Sequence, residues 1–98
     1  MKIGLDQIKI IIEQHKDLLN KTYHVKNIGV FGSIARSEDT NTSDLDLLVE
    51  FSQPVGLFKF IELETYLSKI LGKKIDLVTK NALKPIIREE ILREVAYV

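Results

Sequence analysis

Apolar residues near the start of the chain recur at the spacing of an amphipathic helix. The stripe consists of Leu5, Ile8, Ile12, His15 and Leu19, which would share one helical face. Asp6 is a suitable N-cap, and Asn20 lies near the expected end. The pattern predicts a single first helix with His15 at its apolar edge. No second histidine lies three or four residues away, so we expect a partly buried histidine rather than a metal ligand.

Two short apolar runs then predict strands. The first, residues 25–31 (VKNIGVF), is rich in β-branched and aromatic residues and ends at Gly32. The second follows Asp44, and its side chains alternate between two faces, one carrying Leu45, Leu47, Val49 and Phe51 and the other Asp44, Asp46, Leu48 and Glu50. Because apolar residues occupy both faces beyond Asp46, we expect a central strand that is covered on both sides.

The remaining pattern predicts a helix, a third strand and a final helix. The helix covers residues 57–71 and ends at Gly72, the strand covers residues 74–79, and Pro85 suits the first position of the last helix. Three apolar residues fall outside the core stripes and are candidates for a protein contact: Ile10, Phe58 and Tyr66. The charges of the last helix are expected to form a solvated face: Arg88, Glu89, Glu90, Arg93 and Glu94.

Carboxylates and a glycine turn carry the candidate chemistry. Asp44 and Asp46 would project from one strand face and repel each other, and a hard divalent cation such as Mg²⁺ would compensate. Gly32 permits a tight turn and close approach of the backbone to a ligand, and the first helical turn from Ser33 would offer N–H donors and a hydroxyl to a phosphate. Arg36 could contact that phosphate or pair with a neighbouring carboxylate.

Asp76 is a third candidate, inside the apolar third strand. A carboxylate buried in such a strand costs several kcal/mol unless it is paired or bound to a metal. The alternative is a salt bridge to Lys73, Lys74 or Lys80. With two other carboxylates in the chain's central stretch, we favour the functional interpretation.

The chain resembles a known family at these residues. Gly32-Ser33, ten residues and Asp44-x-Asp46 resemble the signature of the polymerase-β-type nucleotidyltransferases. The wording GSIAR followed by SDLDLLVEF is similar to the minimal nucleotidyltransferases (MNT), which are partner proteins of HEPN-domain ribonucleases. The resemblance implies an α/β (α+β) fold, with a small mixed β-sheet flanked by helices, in a single domain over residues 1–98.

The resemblance also implies an activity and a partner. Asp44, Asp46 and Asp76 would bind one or two Mg²⁺ ions and act in catalysis, while Gly32, Ser33 and Arg36 would bind the nucleotide, ATP. AMP would pass to a tyrosine of a cognate HEPN ribonuclease toxin, so that this chain would be the antitoxin in a hetero-oligomer. The alternatives are an antitoxin that acts by binding alone and a transferase acting on a small hydroxylated molecule.

Composition limits the kinds of partner and the cellular location that we expect for this protein. Lys plus Arg equals Asp plus Glu at 14 each, so no bulk positive field favours direct binding of nucleic acid. Cysteine is absent, which excludes disulfides, thiolate metal sites and a cysteine nucleophile. The sequence has no apolar run of about 20 residues and no signal-peptide pattern. We therefore expect a cytoplasmic protein with no membrane partner.

Overall fold

A mixed four-stranded sheet organises the fold in the computed structural model. The structure describes residues 4–32, 44–80 and 85–98, with residues 85–88 described by their backbone alone. In chain order the elements are α1 (Leu5–Gln14), α2 (Lys16–Tyr23), β1 (Val25–Phe31), β2 (Leu45–Phe51), α3 (Leu57–Leu71), β3 (Ile75–Thr79), α4 (Pro85–Glu94) and β4 (Ala96–Tyr97). The strand order is β3-β2-β1-β4. Strand β2 pairs antiparallel with β1 and parallel with β3, and β4 pairs antiparallel with β1. The predicted class, a small mixed sheet flanked by helices, is confirmed.

Apolar side chains cover both faces of the sheet. On one face the helices α1, α2 and α3 pack on the strands, and the fully buried residues include Ile8, Leu19, Leu45, Leu47, Leu63 and Leu67. On the other face Phe31 and Leu48 pack with Val78, Ile91, Leu92 and Val95. Leu48 is only 2% exposed, which confirms the prediction that β2 is covered on both sides.

The N-terminal helix differs from its prediction. It is broken at His15, so α1 and α2 are separate helices, and α1 begins after Gly4 rather than at an Asp6 cap. The Gly4 N–H donates to the side-chain oxygen of Gln7 at 3.1 Å, which supplies one of the partners that a helix start requires. His15 is partly buried as expected, and its Nδ1 lies 2.7 Å from the Ile11 carbonyl oxygen.

The later elements match their predictions closely. Gly72 caps α3 in the left-handed conformation, with φ 64°, and α4 begins at Pro85. Phe58 and Ile10 are 83% and 56% exposed, whereas Tyr66 packs against the rings of His15 and Tyr23. The short strand β4 was not predicted. None of the described helices combines the length and apolarity needed to cross a lipid bilayer.

Candidate active site

The pairing of β2 with β3 brings two of the predicted carboxylates side by side. Asp46 lies directly opposite Asp76 in the parallel register, and paired strands are about 4.8 Å apart. Residues that are paired in this way project from the same face of a sheet. That face also carries Leu48 and Val78, so it is the face that α4 covers.

Asp44, the third predicted carboxylate, lies two residues before Asp46 in the chain. It immediately precedes the strand, and the Leu45 N–H donates to the Lys74 carbonyl at 2.9 Å, which continues the backbone pairing to the strand's first residue. Parallel strands begin at the same end of a sheet, so Asp44, Asp46 and Asp76 all lie at the end where β2 and β3 start. The antiparallel strand β1 finishes at this same end of the sheet, with Phe31 opposite Asp46.

The three carboxylates differ in exposure. Asp46 is half-buried, whereas Asp44 and Asp76 are exposed. The expectation that Asp76 is buried in an apolar strand is therefore wrong, because the Asp76 side chain is exposed at the start of β3, whereas its neighbours Ile75 and Leu77 on the opposite face are buried. No described lysine lies within salt-bridge distance of Asp76, and Lys80 is instead 3.6 Å from Glu50. The interest of Asp76 comes from its register with Asp46 and not from the cost of burial.

The backbone of Gly32 packs directly against the Asp46 carboxylate. Its φ is +77°, a conformation that strains residues with a side chain. A Cβ built on Gly32 would overlap the Asp46 carboxylate and would stand 2.9 Å from its Cγ. The Gly32 backbone therefore approaches Asp46 closely, and its predicted approach to a ligand stays a prediction. Ser33 and Arg36, the other predicted nucleotide-binding residues, lie outside the described residues.

Glu94 is a site residue that the sequence analysis missed. It is the last residue of α4 and is half-buried, and its Oε1 accepts a hydrogen bond from the Gly32 N–H at 3.1 Å. The prediction that the charges of α4 form a solvated face is wrong at this position. No local signal could have found the contact, because the two residues are 62 positions apart and Glu94 stands in a run of charged residues.

The donor set suits a hard divalent cation. Carboxylate oxygens are the ligands of Mg²⁺, which is commonly held by one or two carboxylates together with substrate phosphates. Asp46 and Asp76, which are paired in register, and Asp44, which directly precedes β2, are carboxylates of this kind. In the described ranges no three acidic or histidine side chains are gathered into a ready-made metal cage, so the phosphates and water would have to complete the coordination.

A separate groove of about 750 Å³ opens at the other end of β2. It is lined by residues that include Lys26, Glu50, Phe51 and Lys80, and none of the three aspartates lies in it. The Asn27 amide donates to Glu50 at 2.9 Å and lowers the pKa of that carboxyl, with help from Lys80. Glu50 is thus partnered at the far end of its strand, as expected for a residue that is not a metal ligand.

Comparison with known proteins agrees with this geometry. A family model described as "Nucleotidyltransferase domain" matches residues 8–98. The chain belongs to this family. It is 48% identical over 96 residues to the protein adenylyltransferase MntA of Thermococcus cleftensis, and the match covers 98% of this chain and 97% of the relative. It is therefore a nucleotidyltransferase, and the predicted enzyme class and family resemblance are confirmed.

Solved nucleotidyltransferase structures share the fold. A minimal nucleotidyltransferase has 34% sequence identity and a TM-score of 0.81, with 96% of this chain and 95% of that chain covered. The MNT antitoxin in a complex with the tri-AMPylated HEPN toxin of Shewanella oneidensis has 17% identity and a TM-score of 0.64, with coverage of 92% and 70%. At that identity the second likeness concerns the fold alone.

Proposed function

We propose that this nucleotidyltransferase is an antitoxin that transfers AMP from ATP to a tyrosine hydroxyl of a HEPN-family ribonuclease toxin and so inactivates it. The observation that carries the proposal is the register of Asp46 with Asp76 beside the Gly32 turn, in a chain 48% identical to a protein adenylyltransferase. The MNT antitoxin of similar fold was solved with a HEPN toxin that carries AMP.

The proposed reaction is an in-line displacement at the α-phosphorus of ATP. The acceptor oxygen forms a bond to that phosphorus, the bond to the bridging oxygen breaks, and pyrophosphate leaves. Mg²⁺ would be held by Asp44 and Asp46, and when bound it would neutralise the charge on the phosphates. Asp76 accepts the proton of the acceptor hydroxyl, a role that suits an exposed carboxylate next to Asp46.

The openness of the site supports a macromolecular acceptor. Asp44 and Asp76 are exposed, so a hydroxyl on a protein surface can approach these carboxylates. The arrangement therefore favours a protein acceptor over a small hydroxylated molecule.

Intact mass spectrometry tests the proposal. The proposed partner, a HEPN-family toxin, is incubated with this protein, ATP and Mg²⁺, and we expect it to gain one or more adenylate units on tyrosine. The double variant Asp44→Asn with Asp46→Asn should abolish the gain. A matched variant, Asp6→Asn with Asp17→Asn, removes the same charge at exposed positions of α1 and α2 and should transfer AMP normally.

The other outcomes separate the alternatives. A stable complex without any gain of mass would refute AMP transfer and support an antitoxin that acts by binding. If the double aspartate variant still neutralised the toxin at equal abundance, binding alone would again explain the activity. If neither a complex nor a gain of mass were found, a screen of small hydroxylated molecules with labelled ATP would become the next test.

A further inference from the structure

The contact between Glu94 and Gly32 joins the last helix to the turn beside the carboxylates. Glu94 Oε1 accepts the Gly32 N–H at 3.1 Å. This hydrogen bond is partly shielded from water, because Glu94 is half-buried. The contact therefore restrains the peptide unit that enters the Gly32 turn.

The fold holds Glu94 in place through the residues that follow it. Strand β4 pairs with β1 at Gly29 and Val30, and the Val98 N–H donates to the Ile28 carbonyl at 2.9 Å. The methyl Cγ2 of Val95 packs so closely on Gly29 that a Cβ there would stand 2.5 Å from it. The segment that carries Glu94 is thus fastened to the same strand that ends at Gly32, and the two sides of the hydrogen bond are held by one strand.

The Gly32 turn in turn bounds Asp46. Its backbone lies so close to the Asp46 carboxylate that no side chain fits between them. A shift or rotation of the Gly32 peptide would therefore change the space that the carboxylate occupies. Glu94 therefore restrains Asp46 indirectly: it holds the Gly32 peptide by a hydrogen bond, and that peptide contacts the Asp46 carboxylate.

We propose that Glu94 is a positioning residue for AMP transfer, which holds the Gly32 turn against Asp46 through its hydrogen bond to the Gly32 N–H. This inference rests on the proposed function. The property on which this role depends is the acceptor oxygen of Glu94, because that oxygen accepts the Gly32 N–H. Glutamine keeps an acceptor oxygen at the same place in the side chain, whereas alanine removes it.

The test compares Glu94→Ala, Glu94→Gln and a matched control, Glu90→Ala, which removes an exposed carboxylate from the same helix. Steady-state AMP transfer to the proposed HEPN-family partner gives kcat and the KM for ATP. We expect Glu94→Ala to lower kcat by about tenfold or more, because small misplacements of reacting groups are costly. Glu94→Gln should stay within about threefold of the unmodified protein, and Glu90→Ala should be unchanged.

A second readout does not depend on activity. The chain has five glycines, so labelling with ¹⁵N-glycine gives a simple amide spectrum in which Gly32 can be followed. Glu94→Ala should move the Gly32 resonance upfield and speed its hydrogen exchange, Glu94→Gln should preserve its protection from exchange, and the Gly72 amide should not respond. Thermal unfolding shows which variants are folded at the assay temperature.

The outcomes distinguish failure of this inference from failure of the proposed function. A fully active Glu94→Ala protein, or an unmoved Gly32 amide, would refute the positioning role and leave AMP transfer intact. Equal losses in Glu94→Ala and Glu94→Gln would show that the charge is what matters and would also refute it. A rise in ATP affinity in both variants, with kcat unchanged, would make Glu94 a competitor of the phosphates instead. An unmodified chain that transfers no AMP would refute the proposed function itself.

Discussion

Replacing Gly32 with alanine perturbs the site at its most crowded point. Two separate costs follow from the structure. The first is conformational strain, because the residue has φ +77°, where an L-amino acid with a side chain loses about 1–2 kcal/mol. The second is steric, because the new methyl group would overlap the Asp46 carboxylate, so either that carboxylate or the turn must move.

Gly72 provides a control that carries only the first cost. Its φ is +64°, and a Cβ built there meets no atom within 4 Å. Gly72→Ala should therefore lower the free energy of unfolding by about 1–2 kcal/mol, which for a domain of this size corresponds to about 4–8 °C in Tm for each kcal/mol. Gly32→Ala should lose at least as much, and the difference between the two variants measures the displacement around Asp46.

The assay combines thermal unfolding with transfer kinetics at a temperature where both variants are folded. In the proposed AMP transfer, we expect Gly72→Ala to match the unmodified protein and Gly32→Ala to be slower by about tenfold or more. Gly32→Ala should also bind ATP and Mg²⁺ more weakly, because Asp46 is displaced. Equal activity in the two alanine variants would refute the argument that the Gly32 backbone sets the position of Asp46.

Three further variants test the parts of the fold around this site. The lowered pKa of Glu50 stabilises the folded protein above pH 4.5, and this stabilisation is lost as the pH falls through the folded-state pKa. Glu50→Gln should remove it, so the free energies of unfolding of the variant and the unmodified protein, measured with urea, should converge in acid. A difference that stays constant with pH would contradict this. Leu63→Ala, at a residue that is 0% exposed, should cost about 2–5 kcal/mol in chemical denaturation, and a loss below 1 kcal/mol would show that the core collapses around it. Gly29→Ala should force Val95 away from β1 and cost about 1–3 kcal/mol; unchanged hydrogen exchange in β4 would argue against it.

The sequence predicts most of the fold because its signals are local. The alternating pattern of residues 44–51 predicts β2 and its two covered faces, and Gly72 and Pro85 mark a helix end and a helix start through backbone chemistry that needs no tertiary contact. His15 shows where such signals fail. The apolar stripe continues through it, but the described helix breaks there, and no residue at the break is a glycine or proline that would have indicated it.

The sequence predicts less of the candidate active site than of the fold. Spacing alone places Asp44 and Asp46 on one strand face, but the neighbour of Asp46 is set by the register of β3, which depends on how the two strands dock. The apolar composition of residues 74–79 predicts burial, but it does not show that the face carrying Asp76 is exposed at the start of the strand while Ile75 and Leu77 are buried on the other face. The Glu94 contact depends on the pairing of β4, a strand of two residues that is too short to leave a pattern.

The different surroundings of the carboxylates indicate a division of labour in the proposed reaction. Asp46 is bounded by the Gly32 backbone on one strand and is paired with β3 on the other, so its carboxylate has few positions available and can define where a cation and the phosphates lie. Asp44 and Asp76 are exposed and can adjust to the substrates. A site that receives its acceptor from another protein needs this combination, because the phosphates must be fixed before the acceptor docks, while the side that meets the incoming hydroxyl must stay open. The exposed side chains of Asp44 and Asp76 provide that open side, and the restraint on Asp46 by Gly32 provides the fixed one.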